Sequence, residues 1–597
     1  MDSPVSRRAI LQGMLAELAF LAAGCATSPR VQSRADGKVD MILHRGRVYT
    51  VDPANRVVEA VAIKDGRFVA VGSTAEIRRL ATSGTREIDL AGRTVVPGFI
   101  DGHPHTDGVG MNAILPSFDG VRSIDDILGV LAKEVARRRP GEWIVCAPLA
   151  NEPDVFKFPG ALKDGRWPNR ADLDRVAPEN PVFIRPPLLV SPGYGFANTT
   201  ALRLAGITRD TAAPDAVEIL KDERGEPTGV ITDLNFPKRI EATLFRVIPP
   251  ASPEVVLRGL RAGIKLFNQA GVTAIYEGHG IPAGPQRAYM DLWSEGALSV
   301  RTYFVIAYPI PFYQDPAAGE ALIRETAKYA GGRGLGDDFL KLGGLGFSFD
   351  SAAAIGACLM REPYMGAQGH LWNGVQHTSD ENFKSIIQNG ARANLRMQVQ
   401  CSGDAAIDKV LAIFEEIDRE IPIARKRWVI EHCQFPSAGN MATCKKLGIV
   451  PTTGTNFLWK YGHIYQKSFG AERTRDSIPL KAWIDAGLPV AQSTDGQPSQ
   501  PVFTFWQSLA RRDGYTGQAL GGQKLSRTEA LRIYTINPAY AMFAEDRLGS
   551  IEPGKLADLV VLSDDIMQIP EDRIPETKVL ATLVGGRAVH DTGLLPG

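Results

Sequence analysis

Two histidines one residue apart, His103 and His105, close an apolar run that contains Val95, Val96, Phe99 and Ile100. Alternate residues on an extended strand point the same way, so both imidazoles project from the end of a buried strand, with Pro104 facing away. Neutral imidazole is the commonest nitrogen ligand of zinc, and two of them at a strand end begin a divalent-metal site. Other residues of the right type occupy later apolar runs: Lys341 in 340–345, His432 at the end of 428–432 and Asp495 at the end of 490–495. Imidazoles and a carboxylate around an open position form a catalytic metal site, in which the metal lowers the pKa of bound water. Asp495 is then the group that takes a proton from that water and passes it to the leaving group. Glu277 and His279 follow a further run in Tyr276-Glu-Gly-His279; a loop role at the same mouth, facing substrate, is their first reading, and that of a substitute metal ligand the second.

These residues need a frame that brings distant runs together. Apolar β-type runs at 272–276, 301–306, 340–345, 397–401, 428–432, 450–454 and 490–495 follow the His-x-His strand. Most are joined by helical stretches such as 406–420 and 479–486. Alternating β and α elements indicate a parallel α/β architecture, and eight such strands predict a (β/α)8 TIM-type barrel, with its site at the C-terminal strand ends. The barrel is expected from 96–107 and 254–540. Residues 108–253 break the alternation and read as an insertion over the barrel mouth, with an amphipathic helix at 124–139 and strands at 143–146 and 182–185. Short strands with turns fill 35–95 and 541–597, Asp65-Gly66 between apolar runs being a hairpin signal. The two β-rich ends are expected to pair into one small β-sandwich.

Residues 1–34 read as a targeting segment. Ser6-Arg7-Arg8-Ala9-Ile10-Leu11 resembles a twin-arginine export signal, and Leu21-Ala22-Ala23-Gly24-Cys25 a lipoprotein processing site acylated at Cys25. An exported, periplasmic or membrane-anchored bacterial protein is expected, held to the membrane only through Cys25. The 597 residues are 44% hydrophobic and 22% charged, with Lys+Arg and Asp+Glu both 67. That balance excludes a nucleic-acid partner and points to a small-molecule substrate; a homodimer is compatible with it. Six cysteines without a C-x-x-C pair exclude a zinc ribbon.

Several motifs carry a family resemblance. Val96-Pro-Gly-Phe-Ile-Asp-Gly-His-Pro-His105, Gly271-Val-Thr273, Ile430-Glu-His432, Phe469-Gly-Ala-Glu-Arg473, Ser493-Thr-Asp495, Thr535-Ile-Asn-Pro538 and Gly549-Ser-Ile-Glu-Pro-Gly-Lys-Leu-Ala-Asp558 resemble the amidohydrolase superfamily, in the branch containing N-substituted formamide deformylase. The resemblance implies one metal held by the strand-one histidines and the strand-eight Asp. It also implies a strand-four Lys, often carboxylated, bridging to a second metal held by histidines of strands five and six. Three positions depart from the pattern: Gln400 stands where the strand-five His belongs, Gly193 replaces a His of the insertion, and Leu345-Gly346 replaces an Asp-Gly. A carboxamide is a poor zinc ligand, so one divalent ion, zinc first among candidates, is expected in preference to two. His103, His105, Lys341, His432 and Asp495 are the expected ligands, and Asp495 and Lys341 the catalytic pair. Gln400, Glu277 and His279 are assigned to substrate. The expected reaction is metal-dependent hydrolysis of an amide-like C–N bond, an ester or lactone fitting the same chemistry. The altered positions keep a second reading open: a metal-assisted lyase or hydratase, or an exported ligand-binding descendant of the fold.

Overall fold

Eight parallel strands surround the centre of the computed structural model: β1 (Phe99–Asp101), β2 (Val272–Ile281), β3 (Arg301–Ala307), β4 (Leu340–Ser348), β5 (Met397–Cys401), β6 (Val429–His432), β7 (Val450–Thr453) and β8 (Ala491–Gln492). Each pairs with the next. The Gly102 N–H donates to the Gln492 carbonyl at 2.9 Å and the Asp495 N–H to the His103 carbonyl at 2.8 Å, drawing β8 back to β1. This is the barrel the alternation predicts. The structure describes residues 38–187, 189–233, 239–367, 369–496 and 499–595. The expected export signal and Cys25 lie outside the described residues.

The helices between strands owe their placement to apolar stripes at helical spacing. Asp404–Glu420 buries Ile407, Val410, Leu411, Phe414 and Ile417, and Pro253–Gln269 buries Leu260, Ile264 and Phe267. The latter starts at Ser252, whose hydroxyl accepts from the Val255 N–H, with Pro253 in the first turn, where its missing N–H costs nothing.

Two strand boundaries differ from the sequence reading. The apolar run before His103 is two strands, Thr94–Pro97 and β1, broken at Gly98. A Cβ on Gly98 would lie 2.1 Å from Thr273 Oγ1, so only glycine lets the chain pass β2 while leaving one sheet for another. β4 runs to Ser348, past a register shift opposite Phe304 and Ile306, with Gly344 at φ +103°. Lys341 therefore lies at the entry to the strand, far from its mouth.

Thr94–Pro97 belongs to a six-stranded sheet with Arg47–Tyr49 and Val57–Val58 from the N-terminal side and Leu559–Leu562, Val579–Val584 and Arg587–Asp591 from the C-terminal side. A four-stranded sheet (Arg67–Gly72, Ala60–Lys64, Met41–His44, Arg86–Asp89) accompanies it, sharing a core that includes Leu43, Val48, Phe68, Leu559, Val561 and Leu583. Its hairpin turns at Asp65 and Gly66, both with φ > 0, as a type I′ turn requires. The segment after β1 builds a five-stranded sheet from Ile144–Cys146, Val182–Ile184, Gly193–Ala197, Val217–Lys221 and Pro227–Asp233. A helix, Ile124–Val135, packs on it through Ile127, Leu128 and Leu131. After β7 a long helix, Asn456–Asp476, kinks at Gly470 and packs against the insertion, the Phe156 and His463 ring centroids lying 4.5 Å apart. Among the described residues no helix is long and apolar enough to cross a membrane.

Candidate metal centre

Four imidazoles and a carboxylate converge at the C-terminal strand ends: His103 and His105 after β1, His279 within β2, His432 ending β6 and Asp495 after β8. Two overlapping triads have their ligand atoms within 4.8 Å of one another: His103, His105, Asp495 and His103, His279, His432. His103 is common to both. Its Nε2 lies 3.2 Å from Asp495 Oδ1, which also lies 3.0 Å from His105 Nε2. Its Nδ1 lies 3.1 Å from Glu431 Oε1.

Convergence depends on a backbone device. His105, His279, His432 and Asp495 all have positive φ, between 48° and 65°. Non-glycine residues seldom adopt this region, and clusters of them mark functional sites. In regular β geometry neighbours face opposite sides; the left-handed turn swings each side chain across the mouth. His103 and His105 thus meet through a turn beyond the strand, not by alternation along it. Asp101 fixes that turn, accepting from the His103 and Thr494 N–H groups at 3.1 Å each.

Buried charge supplies the electrostatics. Burial alone would push the His103 imidazolium down, but Glu431 and Asp495 against its two nitrogens raise it well above the ordinary value. Burial would raise Asp495, yet the His103 and His105 imidazoles against it hold its carboxyl well below the usual range. Burial, with His103 and His105 nearby, pushes His432 down to about 3, and burial with its imidazole neighbours pushes His279 well below its ordinary value. The carboxylates that favour a proton on His103 equally favour a divalent cation.

The residues fit such an ion. Both His103 ring nitrogens and His432 Nδ1 are buried without a hydrogen bond of good geometry, although buried polar atoms almost always find a partner. Neutral imidazoles with one carboxylate suit zinc and other borderline divalent metals. His105, its side chain 36% exposed, marks the opening to solvent.

A family model described as the amidohydrolase family matches residues 86–590. The chain belongs to the amidohydrolase family. It is 26% identical over 568 residues to Protein LONG AFTER FAR-RED 3 of Arabidopsis thaliana, covering 92% of this chain and 91% of that one. It is 25% identical over 572 residues to the N-substituted formamide deformylase of Arthrobacter pascens, covering 92% and 97%. A solved structure of an uncharacterized metal-dependent hydrolase from Pyrococcus furiosus superposes with a TM-score of 0.66 at 22% identity, covering 88% of this chain and all of that one. Membership of this family makes the chain an enzyme, a hydrolase, and the convergent imidazoles and Asp495 are its candidate metal site.

Of the expected site residues, His103, His105, His432 and Asp495 come together, and His279, read as a substrate-facing loop residue, joins them. Lys341 does not. It lies at the opposite end of the barrel, around a small cavity with Arg301, Asp337, Asp338 and Arg547, because β4 is longer than its apolar run suggested. The β4 residue at the level of the centre is Gly346, where a Cβ would lie 2.3 Å from the His279 backbone. Gln400 is turned to Asp350 and Ser402, donating to each at 2.9 Å, and not to the cluster. Glu277 is buried behind β2, accepting from the Thr106 N–H at 2.9 Å and the Tyr289 hydroxyl at 3.0 Å; it anchors the helix that His105 precedes. Glu431 was missed. Its one sequence signal is its place beside His432, where strand alternation points it away.

Proposed function

We propose that this amidohydrolase hydrolyses an amide-like C–N bond of a small molecule, with one divalent ion, zinc first, at the His103 centre. His103, His105, His279, His432 and Asp495 are the side chains that would hold it. A bound divalent ion acidifies water and polarises a substrate carbonyl. The rest follows from the chain's own groups. Asp495, ionised and beside the opening, accepts the proton of the attacking water and returns it to the leaving nitrogen. Glu431, 3.1 Å from His103 Nδ1, would accept a hydrogen bond from Nδ1–H, fixing the tautomer that leaves Nε2 free toward Asp495, the usual arrangement of a carboxylate behind a ligating imidazole. Phe457, with its ring 5.3 Å from that of His432, presents an apolar wall at the centre.

The observation that carries this reading is the convergence of four imidazoles and Asp495 at the barrel mouth. The likeness to an N-substituted formamide deformylase supports an N-acyl or N-formyl substrate. A single ion is supported by Lys341 lying elsewhere, which leaves the two triads sharing one imidazole and without the expected bridge. Substituting Asp495→Asn tests the role of the carboxylate: turnover of N-formyl and N-acyl amines should fall by about a thousandfold or more, with the fold retained. Near-native kcat in that variant would exclude Asp495 as the base. Export through residues 1–34 and lipid attachment at Cys25 belong to the same proposal; Cys25→Ala should move the protein out of the membrane fraction.

A further inference from the structure

One buried cation beside the centre has no part in this chemistry. Lys460 lies in the second turn of the helix Asn456–Asp476 and is only 3% exposed. Its Nζ lies 5.1 Å from the Phe457 ring centroid and 5.4 Å from that of Tyr461. Among the described residues it makes no hydrogen bond or ion pair. Phe457 is the ring that meets His432, and Lys460 is among the charges acting on His432. Across from the helix stands Glu152 of the insertion. It faces the Tyr461 hydroxyl and feels Lys460 and Asp495, yet it does not pair with the ammonium, and its Oε1 is buried without a partner.

An ammonium on a side chain this deeply buried, without a hydrogen-bonded anion, is placed to take one from a ligand. Two aromatic rings make up only part of what a paired anion would supply. The neighbouring carboxylates have other tasks: Asp495 faces His103 and His105, and Glu431 faces His103 and His279. Glu152 acts on Lys460 only at a distance, so the ammonium is open to an anion brought by a ligand. Because Lys460 flanks the ring that walls the centre, such an anion would sit on the substrate next to the group being cleaved.

We propose that Lys460 binds a carboxylate on the substrate, making the enzyme selective for N-acyl compounds that carry a carboxylate close to the scissile C–N bond. This rests on the C–N hydrolase reading above and adds the substrate class to it. Lys460 is a specificity-determining residue here, with its ammonium held between the rings of Phe457 and Tyr461. A neutral substrate would leave that charge unpaired.

Two measurements on the metal-loaded full chain test this. The first compares kcat/KM for N-formylphenylalanine with that for N-formylphenethylamine, the same scaffold without the carboxylate. The second compares phenylacetate and phenylacetamide binding by calorimetry, in the wild type and in Lys460→Met with matched metal content and circular dichroism. Hydrogen bonds to charged groups contribute about 1.5–3 kcal/mol, so effects of about tenfold or more are expected. N-formylphenylalanine should be the better substrate by that factor. Phenylacetate should lose about tenfold in affinity in Lys460→Met, and phenylacetamide should change little. Equal or better use of N-formylphenethylamine, or unchanged phenylacetate affinity in the variant, would overturn the proposal. Turnover of neither formamide, with phenylacetate binding still dependent on Lys460, would count against C–N hydrolysis and support the anion site. If Lys460→Met does not fold, Lys460→Gln takes its place, and the wild-type substrate pair decides by itself.

Discussion

His103 has a carboxylate against each ring nitrogen, and the two have different work. Asp495 faces the opening together with His105; Glu431 is fully buried, and also accepts from the His279 N–H at 3.1 Å. Glu431 is thus the residue that orients two imidazoles without reaching solvent. Such partners of metal ligands typically contribute about 10–100-fold to metal affinity. Glu431→Gln should weaken metal binding by about that factor, read by competition with a chromophoric chelator, while circular dichroism stays unchanged. Unaltered affinity would reduce Glu431 to a packing role. The residue types at the centre were legible because imidazole and carboxylate at strand ends have little other reason to recur. Glu431 was not, since a glutamate next to a histidine on a four-residue strand looks like the outward-facing neighbour. The positive φ at His432 breaks that alternation, and no composition signal announces it.

At the scale of elements, β2 is shaped by what it must avoid. A Cβ on Gly278 would fall 1.6 Å from Glu431 Oε1 and 2.3 Å from His103 Nδ1, and one on Gly280, at φ +88°, 2.3 Å from the Ala307 backbone. The strand therefore narrows to glycine on either side of His279, which lets that imidazole swing inward past Glu431. Gly278→Ala should displace His103 and Glu431 and weaken metal binding by at least about tenfold, the scale of losing an orienting partner. Gly129→Ala, in an exposed turn of Ile124–Val135 with no atom near its added carbon, should instead stabilise by about 0.5–1 kcal/mol. Equal metal affinity in Gly278→Ala and wild type would contradict this account of β2. The barrel itself was readable from eight apolar runs separated by amphipathic stretches. What failed was strand length. Lys341 sits in the most apolar part of its run, and only the glycines at 343 and 344, which let β4 continue through a register shift, show that the mouth lies several residues later. The same holds for 94–101, where Gly98 divides one apolar run between two sheets.

For the molecule as a whole, the sandwich built from both chain ends is tied to the barrel floor by a buried ion pair. Arg301, opening β3, donates from Nε and Nη2 to Asp558 at 2.8 and 3.0 Å, and the Gly585 N–H donates to the same carboxylate at 2.7 Å. Both charged side chains are almost fully buried. Removing one partner of a buried pair leaves the other uncompensated, at a cost of about 3–5 kcal/mol. Asp558→Ala should lose stability of that order in denaturant unfolding, far from the centre and with metal content unchanged; a loss below about 1 kcal/mol would show that the pair is not the tie described. The opposite end of the barrel is joined by the centre itself, whose ligands span residues 103 to 495 and four strands. A single ion bound there would hold the ring of strand ends together, and its removal should lower the melting temperature. The central claim is that one ion occupies a mononuclear site. Metal analysis of the purified protein, with anomalous scattering from its crystals, tests it most directly. The account predicts about one divalent ion per chain and a single anomalous peak among His103, His105, His279, His432 and Asp495; two fully occupied peaks, one in each histidine triad, would contradict it.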